Sequence, residues 1–577
     1  MFINSYLPKF ILGAVFAVMA TSSSAASPPA SSSFAESQIE PKQSASDSQS
    51  SLSADIIFNV LMGEIALQRD DLELAYKHQL RSADLANDAV AAERAAKIAL
   101  HKKDQGGALK AVKRWIELDP KSARAKQMAV MLYVRSGDAE AALRHLKLLV
   151  KLHENDGQDG FVQAMVAVAS GKDNDLALKL MQSLVQEYKS SANARYAVAL
   201  IAVMAKKLDV AESETHQTLS IDPKMEKAHV LLGRIYAEKG DAEGAMSAMR
   251  HALQLIPKSK SLHTAYARLL VDLNKPELAY QQFQQLQQLA PEDVDVQFSL
   301  GILALELQKY QQAKSHFSGL LKSQQRVEDA SFYMGRVAEM EEKTDGALEW
   351  YGKVRSGKYL FNARARMVGL VADKESLAKA RAMLEGMRTR MPERSIDIYI
   401  LEGDILRKHS THTKVVELFD AALKEHPDDI DLLYARALSA SALGRVDILE
   451  RDIGLILKQE PNHADALNAL GYTLADQTER YKEAYDYIKK ALALKPDSPA
   501  VLDSMGWVQY RLGNNQEALD YLRRAFKMVQ DVEIAAHLGE LLWVTGKKQE
   551  AQKIFQEALK KHPDNEYLLK TVKRLGM

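Results

Sequence analysis

From about residue 56, the small and apolar positions of the chain return every 34 residues. Ala211, Ala245, Ala279, Ala313 and Ala347 stand at that interval, and Ala75, Ala108, Ala142, Ala177 and Ala380 extend the series at nearly the same spacing. Twelve residues before several such alanines comes a glycine in an apolar setting: Gly233 in VLLGRIY, Gly301 in FSLGILA, Gly335 in FYMGRVA, Gly506 before Ala518 and Gly539 before Ala551. Gly471 precedes Ala484 by thirteen. In the unit 226–259 the pattern reads His229, Leu232, Gly233 and Tyr236, then Ala245, Met249 and Ala252. Spacings of three and four put each group on one face of a helix, so every unit predicts two amphipathic helices. Helices of about 12–14 residues are marginal alone, and their stability must come from stacked neighbours. A glycine inside a helix costs about 1 kcal/mol against alanine. The expected return is close approach of two helix backbones at that point.

The prolines support the same register. Pro120, Pro223, Pro257, Pro291, Pro392, Pro427, Pro461, Pro496 and Pro563 fall just after second helices. Pro276 and Pro499 fall at expected helix starts, where a missing N–H does no harm. A 34-residue unit of two helices resembles the tetratricopeptide repeat. The resemblance implies an all-α fold, a superhelical solenoid of about 15 helix-turn-helix repeats over residues 56–565. The closing EYLLKTVKRLGM, residues 566–577, reads as a capping helix.

Units 395–429 and 430–463 carry Val415 and Leu449 where the others carry alanine. Two readings stand: a joint in the array, or local repacking without mechanical consequence. The organisation expected is a signal peptide over 1–26, a tether over 27–54, an N-terminal repeat block over 55–394, divergent units over 395–463, and a C-terminal block with its cap over 464–577.

Composition narrows the setting. Lys plus Arg and Asp plus Glu are 76 each, a formal net charge of zero, which argues against nucleic acid as a partner. The start, MFINSYLPKFILGAVFAVMATSSSAAS, has the order of a secretory leader: Lys9, an apolar run from Phe10 to Ala20, then small residues. The alternative is a retained anchor, although spanning needs about 20 apolar residues. Cleavage implies secretion across the inner membrane and a periplasmic site of action. Residues 21–53 hold 14 serines in 33 positions, too few large apolar groups to fold, hence a flexible tether. There is no cysteine, which removes disulfides, thiolate metal sites and a cysteine-linked lipid anchor. Peripheral membrane association stays open.

The chain contains no HExxH, GxSxG, GxxxxGK[ST] or GxGxxG. His409 and His412 in KHSTHTK are the nearest approach to a metal pair, with no third ligand nearby in the sequence. The repeats leave no segment for a catalytic domain. No enzyme activity, catalytic residue, metal or cofactor is therefore expected.

Binding is the remaining chemistry. If positions 4, 7, 8 and 11 of a first helix are buried, positions 2, 5, 9 and 12 face the groove. In the last three units these hold Tyr472 and Trp507 at position 9, and Tyr510 and Trp543 at position 12. Rigid aromatics make good anchors for a bound segment, and Asp503, Arg511 and Glu540 are polar candidates beside them. The competing reading packs these rings between units as core.

NALGYTLAD (468–476), LDSMGWVQYRLG (502–513) and AAHLGELLWVTGKKQEA (535–551) resemble a subgroup of bacterial repeat proteins that includes the periplasmic adaptors of carboxyl-terminal processing proteases. That resemblance implies an adaptor that wraps a protease and brings in substrates such as cell-wall hydrolases. Those adaptors are lipid-anchored through a cysteine, which this chain lacks. Two other readings remain: a scaffold for polysaccharide export or pilus and outer-membrane assembly, and an enzyme subunit whose site is not recognisable.

Overall fold

The computed structural model describes residues 54–154 and 160–577; the leader and the serine-rich segment expected over 1–53 lie outside them. Among the described residues there are 31 α-helices and no strand, and 30 of the helices form 15 successive antiparallel pairs. The pairs run from Ala54–Gln68 with Leu72–Ala86 to Val532–Val544 with Lys548–Lys561, and the single helix Glu566–Arg574 closes the series. No described helix is long and apolar enough to cross a membrane.

Local signals set the boundaries. Asp71, Asp104, Ser191, Asp241 and Ser259 each cap a helix, the side chain accepting from a backbone N–H three residues on. All nine repeat-phase prolines stand two residues beyond the last residue of a second helix. Pro276 and Pro499 occupy the first turn of their helices. The proline turns are also tied to the next unit: the rings of His229 and His263, both buried, bond through Nε2 to the carbonyls of Pro223 (2.8 Å) and Pro257 (3.0 Å).

The repeat alanines, Val415 and Leu449 are all fully buried. The glycines show why the pairs close so tightly. A Cβ on Gly301 would lie 2.5 Å from the Phe317 ring, and one on Gly335 would lie 2.5 Å from the Tyr351 ring. Gly233 meets Met249, Gly471 meets Ile488, Gly506 meets Leu522 and Gly539 meets Phe555 in the same way. Gly403 meets Phe419, so the unit with Val415 keeps the contact although its alanine is gone.

The described residues divide into two compact units, one up to residue 325 and one from 326 onward. In the first, a continuous core runs from Leu80 to Ile235 and is rich in alanine. In the second, successive clusters each join neighbouring pairs, one from Val368 to Ile405, one from Tyr399 to Ala435 and one from Leu433 to Val508. The divergent units 395–463 lie inside this second body and hold two buried carboxylates. Glu402 accepts from Arg381 (2.7 Å) and Arg388 (2.6 Å), and Asp452 takes a two-pronged bond from Arg436 (2.7 and 2.8 Å).

The glycine contacts predict opposite signs for one substitution. In Gly506→Ala the new methyl would sit 2.6 Å from Leu522 Cγ and 3.1 Å from the Ala518 carbonyl, and urea unfolding should show a loss of about 1–3 kcal/mol. In Gly386→Ala it would meet nothing within 4 Å, and stability should rise by about 0.4–1 kcal/mol. Equal midpoints for Gly506→Ala and wild type would contradict the close approach.

Candidate functional site

A buried imidazole on Val532–Val544, the last of the first helices, is met by one residue of Ala464–Gln477, two of Pro499–Arg511 and one of the closing helix. His537 is fully buried. Its Nδ1–H donates to the Asp503 carboxylate, 3.0 and 2.9 Å from the two oxygens. Its Nε2 lies 3.3 Å from the Tyr472 hydroxyl and 3.1 Å from that of Tyr567. Tyr472 in turn donates to Glu533, 2.6 Å away. The contact between Tyr472 and His537 skips an entire repeat, so a single side-chain cluster ties three successive units and the cap.

The Trp507 ring stacks on His537, centroids 4.2 Å apart and 23° from parallel. This arrangement fits an imidazolium. The aromatic face attracts a cation, Asp503 supplies the counter-charge, and the Tyr472 oxygen, its O–H directed to Glu533, can accept from Nε2–H. Burial alone would push the imidazole pKa down; Asp503 and Glu533 outweigh it and hold it above the ordinary value. Burial, reinforced by Glu533, raises the Tyr472 hydroxyl well above its usual range, which keeps it a donor.

Above this cluster opens a cleft of about 530 Å³. Trp507, Tyr510 and Tyr567 form its aromatic wall, and Asp476, Arg511, Glu540, Lys570 and Arg574 supply the charge. Glu540 is buried and is bound by both terminal nitrogens of Arg574. Arg511 donates to the Tyr481 hydroxyl (2.6 Å) with its guanidinium over that ring. Asp476 makes no hydrogen bond or ion pair with a described residue.

Of the residues expected to bind, Trp507, Tyr510, Arg511 and Glu540 line the cleft. Trp507 is only 4% exposed, so it offers the cleft little of its ring. Asp503 lies beneath, on His537, and Tyr472 lies beside that ring. Trp543 is placed elsewhere: it packs on the core of Leu519, Leu522 and Leu538, with Lys548 over its ring. His537 stands inside the AAHLGELLW motif at position 6, between the positions assigned to groove and core. Tyr567, Lys570 and Arg574 come from the segment read only as a solvating cap. Their spacing by three and four, which puts Tyr567, Lys570 and Arg574 on one helix face, was the available signal. Among the described residues no group of three or more metal-ligating side chains occurs, and His409 is engaged by Asp373 at 2.7 Å.

Residues 215–329 match a family model described as the TPR domain of cytochrome c-type biogenesis protein H, and residues 453–499 and 504–566 match a tetratricopeptide repeat model. The chain carries tetratricopeptide repeats, and its serially paired all-helical fold is of that kind. It is 39% identical over 205 residues to the TPR repeat-containing protein PA4667 of Pseudomonas aeruginosa, covering 36% of this chain and 35% of that one. It is 25% identical over 153 residues to human tetratricopeptide repeat protein 6, covering 26% and 29%. It is 21% identical over 178 residues to the human protein O-mannosyl-transferase TMTC1, covering 30% and 20%. The chain thus spans about a third or less of the curated relatives it matches. Among solved structures it is similar to Naa15/Naa10 bound to HypK-THB, at 12% identity over 90% of this chain and 96% of that one, TM-score 0.34. It is similar also to the Pseudomonas aeruginosa pilF, at 18% identity over 38% and 99%, TM-score 0.29.

The raised imidazole fixes a pH dependence. A group whose pKa is higher folded than unfolded contributes fully below the unfolded value, about 6.5 for histidine, and loses that contribution as pH rises through the folded value. Breaking a buried pair costs about 3–5 kcal/mol. Urea unfolding of wild type and His537→Gln should therefore differ most near pH 6, with the difference shrinking toward pH 9. A difference that grew with pH would contradict the imidazolium assignment.

Proposed function

We propose that this chain is a non-catalytic protein-binding scaffold that works in the periplasm. It acts as an adaptor that captures a carboxyl-terminal processing protease and delivers substrates such as cell-wall hydrolases to it. The observation that carries the reading is the C-terminal cleft, where side chains from three successive first helices and the closing helix meet around Trp507. An opening walled by aromatics and rimmed by both signs of charge suits a polypeptide segment, with rings as anchors and charges setting its register. The polar cluster under it holds the wall rigid, so little ordering is left for the moment of binding. The leader pattern supports a site of action beyond the inner membrane, and the three C-terminal motifs support the adaptor role. Without cysteine the reading includes no cysteine-linked lipid anchor, and peripheral association with a membrane stays possible.

Affinity capture from envelope extract tests it. The double variant Arg511→Glu, Lys570→Glu reverses two rim charges without touching the buried cluster. Wild type should retain the protease and cell-wall hydrolases, and the double variant should retain about tenfold less of each. Equal retention by both proteins would contradict the cleft, absence of the protease from the wild-type sample would contradict the adaptor role, and turnover of any substrate by the purified chain alone would contradict a scaffold.

A further inference from the structure

We propose that the second compact unit holds a separate acceptor site at Arg336, which takes the carboxylate of an acidic side chain on a bound protein. The proposal rests on the scaffold reading and adds a partner chemistry at another place in the fold.

Arg336 follows Gly335 on the first helix Val327–Met340. The bare glycine lets Tyr351 of the second helix lie against that backbone, where it is fully buried. The Tyr351 hydroxyl donates to Glu339 Oε2 at 2.5 Å. Arg366, on the next first helix Leu360–Lys374, donates from Nη1 to both Glu339 oxygens, at 2.8 and 3.0 Å. Glu339 is thereby taken up by one arginine and one tyrosine.

Arg336 is left over. Its Nε is shielded from solvent and has no acceptor, and its guanidinium makes no hydrogen bond or ion pair with a described residue. Burial first, and the neighbouring Arg366 charge second, pull its pKa below the ordinary guanidinium value. A guanidinium does not lose its proton in a protein, so the positive charge stays; nearby Glu339 offsets it in part, but no acceptor is bonded to it. Arg336, Arg366 and Glu339 together carry one net positive charge. Leaving a partly buried charged donor without a partner is costly unless an acceptor arrives from outside.

The geometry selects the kind of acceptor. A planar guanidinium fork matches a carboxylate through two parallel bonds, which a lysine could not do. Arg336 also stands at position 9 of its unit, the position that Trp507 and Glu540 hold at the C-terminal cleft. An acidic residue of a protein lying along the first helices would reach it there.

The test uses the purified full chain and a fluorescein-labelled glutamate decapeptide, followed by fluorescence polarisation, with a glutamine decapeptide as the neutral comparison. Wild type should bind the glutamate peptide and not the glutamine one. Arg336→Gln should weaken the glutamate peptide by about tenfold or more, and Arg336→Lys should fall between. Arg336→Gln should also melt at or above the wild-type temperature, because it removes a charge with no partner; this separates lost binding from lost fold. Unchanged peptide affinity in Arg336→Gln would overturn the site. So would wild type that binds inorganic phosphate but not the peptide. Capture of the protease from envelope extract, measured in parallel, separates the two claims. Protease retained with peptide affinity unaffected by the variant sinks this site alone; peptide affinity lost with the variant but no protease captured sinks the adaptor role alone.

Discussion

In seven of the fifteen pairs a large apolar side chain of the second helix rests on a bare glycine backbone of its partner helix, and that contact decides how closely those hairpins close. Phe317 lies on Gly301, Tyr351 on Gly335, Phe419 on Gly403 and Phe555 on Gly539, each ring sixteen residues after its glycine. Leu522 on Gly506 and Met249 on Gly233 keep the same interval with aliphatic groups. Glycine costs a helix about 1 kcal/mol. The contact returns more than that, because a fully buried ring gains dispersion and loses hydrated surface along the whole interface. A chain of short helices has no other reserve, since none of them is stable without its neighbours.

The same contact aims the functional groups. Once a glycine is pinned against the second helix, the next residue along is rotated by about 100° and points out of the pair. That next residue is Arg336 after Gly335, Tyr472 after Gly471, Trp507 after Gly506 and Glu540 after Gly539. Three of these meet at the C-terminal cleft and its underlying imidazole, and the fourth is the guanidinium whose Nε has no acceptor. Packing and recognition are therefore adjacent positions of one helix rather than separate regions of the chain. The small residue is invisible at the surface, yet it determines which side chains reach it.

Much of the fold could be read from the sequence because the signals were local and repeated. The prolines two residues past nine of the fifteen second helices, and the glycine–alanine interval, each report a boundary within one unit. Gly403 escapes the alanine register because Val415 interrupts it, while the ring contact with Phe419 persists. The site was less legible. Trp507 and Trp543 look alike as a sequence pattern, but one stacks on an imidazole and edges a cleft while the other covers leucines. His537 and Tyr472 are 65 residues apart, and only the stacking of three successive pairs brings them together. No spacing rule within a single repeat could connect them, nor could it show that Glu339 is already taken and Arg336 is not.

The most direct measurement is a double-mutant cycle across one glycine and its ring. Gly539 and Phe555 are the pair of choice, because a methyl on the glycine would sit 2.6 Å from the ring and the imidazole lies two residues away. Unfolding free energies of wild type, Gly539→Ala, Phe555→Leu and the double variant give the coupling directly. If the ring on the bare backbone sets the hairpin, the alanine should be far less harmful once the ring is trimmed, with a coupling of about 1 kcal/mol or more. Strictly additive losses would mean that the two residues do not act on each other, and that the pairs are held by something else.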